Sequence, residues 1–382
     1  MRRLMPLLVV LALAGPPAMA QSYYFSPDVP TDLTGATYLP WEVVRKDSPG
    51  VYSVVVGASQ PAYTAVDSLH AMCSGNWLLS VEATEELPAG SGAYFEPWDV
   101  IEYDPALVTH SQFFCGGPIG LPPGTNVDAA FLRGDDRADL VISFETVVDL
   151  TSLGGGIYEP ADLIQWQRNP PGGTMCWEWA IVPSPGDLFF DGSGATPPVQ
   201  NYSDVSGADR WLNTTITFDV PTTLGIPTYQ PGQLVNWDPS IPGFLLYDSP
   251  PWPVDRSSRM DAFSFLPGPG EVPSMHVNKS GVTPGNIVVT WNPSLSAGAE
   301  DYAVYEGTLG SWYSHSPAPT TTVCSDTLAD LTEDFTPQTA DSYYLVVALN
   351  PNAEGSYGQR TGPTERPQLS GSCRSGQDFD CP

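Results

Sequence analysis

Carboxylates are the side chains with the greatest scope for chemistry here: 43 Asp and Glu stand against 14 Lys and Arg and four His. Two acids at the right separation can share the acid and base roles of a glycoside hydrolase. Several acids converging with backbone carbonyls can hold a hard cation such as calcium. His70, His110, His276 and His315 show neither the HExxH arrangement nor the paired spacing of a zinc site. No GxSxG turn presents a serine nucleophile. No glycine-rich loop runs from a strand into a helix, so nucleotide binding is unsupported.

The acids recur in two sets. Glu42, Asp99 and Asp162 each follow an aromatic-x-Pro-x lead, and Gln233 takes the same place after Tyr229 and Pro231. Their expected role is to cap turns or strand starts, as for Asp28, Glu82, Glu145 and Asp219, which end apolar runs. The second set, Asp67, Asp128, Asp204 and Asp261, is the calcium candidate, because matching positions in a repeat could gather these acids near a central channel. Tryptophans supply a binding alternative, since an exposed indole stacks on a sugar ring. Trp41 and Trp98 share one repeat position, while Trp177, Glu178 and Trp179 lie in an insertion. Loops on a rigid scaffold are where binding residues gather, so the insertion is the better candidate.

These residues are positioned by a repeat. Its aromatic leads are Tyr38, Phe95, Tyr158 and Tyr229, spaced by 57, 63 and 71 residues. An apolar run ending in an acid precedes each lead, two aliphatic residues follow the acid or Gln, and a further aromatic run comes next. Apolar and polar residues alternate within each run, and Gly and Pro cluster between runs, as in β-strands joined by turns. Each copy therefore reads as four short strands, which cannot bury a face alone and must pack on the other copies. The expected fold is all-β, with a four-bladed β-propeller-like domain over residues 21–266. The strand at 260–265 is expected to pair beside the strand at 23–27 and close the ring. A β-sandwich built from the same repeats is the alternative.

The third copy reads Phe189, Phe190, Asp191, Gly192, Ser193. With the acid-led aliphatic strands and the closing Val127, Asp128, Ala129, it resembles repeats of uncharacterised exported bacterial proteins. That resemblance implies a propeller-like fold and no activity. Asp128 to Phe131 is also similar to the opening of hemopexin repeats, which form four-bladed propellers.

A Pro/Gly-rich linker is expected at 267–274, followed by a module over 275–370 and a Cys-containing tail at 371–382. Runs at Ile287 to Trp291, Asp301 to Glu306 and Tyr343 to Asn350 read as early, middle and late core strands of a sandwich. With Glu354 to Gln359, they resemble a fibronectin type III domain. The resemblance implies a core Trp291 and a late-strand Tyr whose hydroxyl caps a corner, both structural.

Residues 1–20 read as a secretory signal, with Arg2 and Arg3 ahead of an apolar run and Ala18, Met19 and Ala20 at the cleavage site. The formal net charge of −29 becomes −31 once the two leader arginines are removed. That field disfavours nucleic acid, and no run is long enough to insert in a membrane. Six cysteines in an exported chain point to disulfides. Cys373 and Cys381 are expected to close a small terminal loop. Cys73, Cys115, Cys176 and Cys324 allow several pairings, with Cys73 to Cys115 preferred. The leading functional reading is a secreted, non-enzymatic binding or surface-interaction protein whose partner is an extracellular protein or glycan. A secreted carbohydrate-active enzyme or lectin-like accessory is the second reading, and a surface-layer or filament component the third.

Overall fold

In a computed structural model of the protein, the described residues are 22–48, 50–57, 65–133, 137–183, 188–193, 195, 198–199, 205–210, 214–224, 227–237, 244–248, 260–311, 313–319, 324, 331–358, 365–369, 371–378 and 381. The expected leader at 1–20 and Asp204 lie outside them. The architecture is all-β, with one helical turn, Gly116–Ile119, and one 3-10 turn, Thr151–Leu153, among the described residues.

Each copy of the repeat contributes an antiparallel sheet. The second runs Val66–Ala71, Trp77–Val81, Val100–Asp104, Thr109–Phe114, and the fourth Val205–Arg210, Thr214–Phe218, Leu234–Trp237, Phe244–Asp248. The third runs Val127–Leu132, Asp139–Phe144, Leu163–Arg168, and ends in two short strands, Trp179–Ile181 and Leu188–Phe190, which both pair with Leu163–Arg168. The first sheet takes its inner strand from the far end of the repeat region: Met260–Phe265 pairs with Tyr23–Pro27, in register Tyr23 to Phe265 and Phe25 to Phe263. The expected closing pair is thus present. Beyond the four strands expected per copy, a two-stranded hairpin stands before each Pro turn, such as Glu85–Glu86 with Tyr94–Phe95.

The inner strands pack in a cycle. Met260–Phe265 meets Val66–Ala71, which meets Val127–Leu132, which meets Val205–Arg210, which returns to Met260–Phe265. Neighbouring sheets therefore face one another, and alternate residues of one strand enter alternate cores. Ile142 joins the cluster shared with the second sheet and Val141 the cluster shared with the fourth. This is why strands such as Val127–Leu132 are buried at every position. Main-chain bonds stitch three joints: Val66 N–H to Pro40 O at 3.1 Å, Val127 N–H to Pro97 O at 3.0 Å and Val205 N–H to Pro160 O at 3.5 Å.

The C-terminal residues form two further sheets around one core that includes Val289, Trp291, Tyr302, Val304, Phe335 and Val346. One sheet is Met275–Lys279, Ile287–Trp291, Thr332–Phe335, and the other is centred on Asp301–Thr308 and Ser342–Leu349. Trp291 is buried, as expected. The hydroxyl that caps a backbone turn belongs to Tyr302, which accepts Ser294 N–H at 2.9 Å, whereas the late-strand Tyr343 hydroxyl lies 3.4 Å from His315 Nδ1. The segment expected as a linker is bonded down. Pro267 O accepts from Asn350 at 3.1 Å, and Gly268 O and Pro269 O accept from Ser296 and Ser294 at 2.5 and 2.9 Å.

The cysteine pairing differs from both expectations. Cys73 bonds Cys381, Cys115 bonds Cys176 and Cys324 bonds Cys373. The tail forms no loop of its own because Gly376–Gln377 pairs in parallel with Ala353–Glu354 and carries Cys381 to Cys73. Around that bond the two parts of the chain meet: Ala297 N–H donates to Cys73 O at 2.9 Å, Arg45 pairs with Glu300 at 2.6 Å, and Asn352 exchanges two 2.8 Å bonds with the Ser22 backbone.

Candidate functional site

The recurring Pro turn explains the first set of acids. In each copy the N–H of the acid or Gln donates to the carbonyl three residues back: Glu42 to Leu39, Asp99 to Glu96, Asp162 to Glu159 and Gln233 to Gln230. The side chain returns the bond to the N–H of that same residue, at 2.8, 3.1, 2.9 and 2.7 Å. Pro supplies the φ that the turn needs and lacks the N–H that would otherwise be left over. Asp99 and Asp162 use their second oxygen to accept Gly116 N–H at 3.0 Å and Gly192 N–H at 2.9 Å. Burial raises both carboxyls above the ordinary value, and these hydrogen bonds pull the other way. The acids that recur most regularly are thus engaged in holding turns.

The second set follows backbone register. Each inner strand begins with a bulge, and the unpaired residues are Asp67, Asp128, Ser206 and Asp261. In the fourth copy the bulge falls on Ser206, between the pairs Val205 with Phe218 and Gly207 with Thr217, and Asp204 lies outside the described residues. Asp67 and Asp128 are buried, and Asp67 accepts from Asn126 at 2.9 Å. Among the described residues no group of three or more His, Cys, Asp and Glu stands where it could hold a metal.

Where the inner strands meet, one repeat position carries His70, Phe131, Asp209 and Ser264. Ser264 Oγ donates to Asp209 Oδ2 at 2.8 Å, Phe265 N–H donates to the same oxygen at 2.7 Å, and His70 Nδ1 lies 3.3 Å from Asp209 Oδ1. The trio has the residue types of an acyl-transfer triad in the wrong order. The carboxylate stands between the hydroxyl and the imidazole, so His70 does not take the Ser264 proton. Ser264 is fully buried and also accepts Ala71 N–H at 2.9 Å. Sequence reading missed this cluster because its members come from three copies.

The tryptophans separate. Trp41 and Trp98 are half-buried against cores, and Trp98 fills the space that side chains at Gly116 and Gly117 would need. Trp179 is buried, donates Nε1–H to Phe113 O at 3.1 Å and lies under the Arg168 guanidinium at 4.1 Å. Burial first, then the Arg137 charge, pulls Arg168 below its ordinary value. Trp177 is 55% exposed and Met175 49%.

The loop that holds Trp177 is closed on itself. Asn169 N–H donates to Glu178 O at 2.9 Å, Gly173 N–H to Pro170 O at 2.9 Å and Glu178 N–H to Met175 O at 3.1 Å. The Glu178 carboxylate accepts Met175 N–H at 2.8 Å, and Arg168 donates to Met175 O at 2.6 Å. The Cys115–Cys176 bond ties the loop to the second sheet, and Cys115 N–H donates to Cys176 O at 2.9 Å beside it. An exposed indole and a thioether are therefore presented on a loop whose ordering entropy is already spent, the condition that favours binding.

No known protein family matches the chain, and no curated protein matches it. Among solved structures it is similar to the extracellular domain of a putative hybrid two-component system from B. thetaiotaomicron. The identity is 10% over 83% of this chain, with a TM-score of 0.23, and the match spans 40% of that domain's length. At that score the likeness carries no argument.

Proposed function

We propose that the chain is an exported binding protein whose contact surface is the third-copy loop around Trp177 and Met175. The partner is an extracellular protein or glycan. Its repeat region is read as a four-bladed β-propeller and its C-terminal residues as a fibronectin type III-like sandwich. The cycle of four inner strands and the first sheet, completed from both ends of the region, support the propeller. Three strands facing a second sheet around Trp291 support the sandwich. Three disulfides support an oxidising compartment, and no helix among the described residues is long and apolar enough to cross a membrane.

The observation that carries the reading is the contrast between Trp177 and Trp179, two residues apart, one held out on a locked loop and one in the core. A flat apolar ring held out on a fixed loop suits sugar faces and aromatic or aliphatic protein side chains alike. A glycan array and a capture assay with extracellular proteins, each run with Trp177→Ala, test it. Binding that survives this substitution removes the loop from the function. Turnover in a hydrolase panel, lost on changing a single carboxylate, removes the non-enzymatic reading.

Calcium belongs to the same proposal as a stabiliser at the bulge positions Asp67, Asp128 and Asp261. Its support is their recurrence in three of four copies. An unchanged melting midpoint in millimolar calcium against chelator removes it.

A further inference from the structure

The first residue pair between the third and outer strands is equivalent in all four sheets: Val43 with Val56, Val100 with Phe114, Leu163 with Phe190, and Leu234 with Asp248. Each outer-strand member faces the next sheet, where it meets the residue four after the turn acid or Gln. Val56 shares a core with Tyr103, Phe114 packs on Trp166 at 5.1 Å, and Phe190 packs on Trp237 at 4.8 Å. At the joint between the fourth and first sheets both apolar partners are replaced. Asp248 stands where the other copies have Val56, Phe114 and Phe190, and Lys46 stands where they have Tyr103, Trp166 and Trp237.

Lys46 is one of only two lysines in the chain, against twelve arginines, and its side chain is 4% exposed. Its Nζ contacts the Asp248 carboxylate and lies 4.7 Å over the Tyr23 ring. Tyr23, Tyr52, Tyr247 and Phe265 wall this joint. The Tyr52 and Tyr247 hydroxyls are buried with no hydrogen-bond partner among the described groups, yet both feel the Asp248 charge. The Tyr23 hydroxyl lies beside the same carboxyl. Burial pushes Tyr52 up to about 12 and raises Tyr23 and Tyr247 above the ordinary phenol value as well, so all three phenols keep their protons as donors.

We propose that Lys46 and Asp248 condense into an amide, a covalent cross-link that locks the joint where the repeat region closes. The proton on Nζ passes to the carboxylate, giving a neutral amine and acid. The amine attacks Cγ, the N–C bond forms, a C–O bond breaks and one water leaves. No oxidant or co-reactant is required. Phenolic donors around the carboxyl stabilise the oxyanion of the tetrahedral intermediate. Holding amine and carboxyl in contact supplies effective molarities on the order of 10⁵–10⁸ M. Burial also penalises the two charges but not the amide that replaces them. An arginine at position 46 would pair equally well but could not be acylated in this way.

The test is the intact mass of the full exported chain, folded in an oxidising compartment, compared with the sequence from its measured N-terminus. The expected mass is one water below the value for three disulfides, and a digest should yield one branched peptide joining residues 46 and 248. Amine labelling of the unfolded chain should then mark Lys279 and the N-terminus but not Lys46. Lys46→Arg should restore the missing water. A wild-type mass equal to the disulfide-only value, a labelled Lys46, or a water lost at another pair would overturn the proposal. The measurements on the wild-type chain decide this even if the variant fails to fold.

Discussion

Asp162 Oδ1 accepts the main-chain N–H of Gly192 at 2.9 Å, joining the Pro turn of the third copy to the end of its outer strand. A side chain at Gly192 would stand 2.8 Å from the Ala161 carbonyl oxygen, so the approach requires glycine. Asp99 repeats the arrangement with Gly116. Asp162→Ala removes the acceptor of the buried Gly192 N–H and of the part-buried Glu159 N–H, and is expected to cost about 1–3 kcal/mol. Denaturant unfolding of the wild type and the variant checks the loss.

The same carboxyls fix a pH dependence. Burial raises Asp99 and Asp162 above 3.8 in the folded state, so the unfolded chain releases these protons first as pH rises. Their contribution is present below 3.8 and is lost as pH climbs through the raised folded values. The stability advantage of the wild type over Asp99→Asn should therefore shrink from pH 3 upward. Melting of both chains across that range measures it, and a widening gap would contradict the assignment.

His315 has the opposite sign. Burial, then the Arg366 charge, holds it below 6.5, and it is packed against Tyr305 and Tyr357. The unfolded chain takes up this proton first as pH falls, so stability present above 6.5 is lost below it. His315→Phe should flatten that part of the profile. His110, also held low by burial, is the control expected to leave the His315 component intact when replaced.

Trp177 and Trp179 should respond differently to truncation. Trp179→Ala removes a buried ring and the Nε1 bond to Phe113, and is expected to cost about 3–5 kcal/mol. Trp177→Ala should change stability by less than about 0.5 kcal/mol and abolish partner capture. Denaturation and binding, measured on the same two preparations, separate scaffold from surface.

Replacing Cys115 and Cys176 together by Ser should lower stability by about 2–4 kcal/mol and open the loop 169–178 to protease. Replacing Cys73 and Cys381 should instead expose the contact between the repeat sheets and the C-terminal sheets. Limited proteolysis with mapping of the first cut distinguishes the two effects.

Much of the scaffold was legible because it is local. The turn at Glu96 to Asp99 is made by residues three apart, so aromatic-x-Pro-x-acid announces it wherever it recurs. The alternation of Leu78 and Leu79 between two cores likewise shows as an unbroken apolar run. The candidate site was only half legible. The insertion stood out as a departure from the repeat, yet Trp177 and Trp179 look alike until strand Trp179–Ile181 is paired with Leu163–Arg168. The exchange of aromatic residues for Lys46 could have been read by aligning the four copies.

The amino-acid sequence by itself determined the all-β class, the turns and the closing strand, since each depends on neighbours in the chain or on strand alternation. Tertiary structure alone decided which cysteines meet, because Cys73 and Cys381 are 308 residues apart and no local rule reaches across that distance. It also placed the fourth bulge at Ser206, through a strand register that one residue of slip would have changed. And it brought Lys46 against Asp248, a contact that exists only because the last sheet packs on the first.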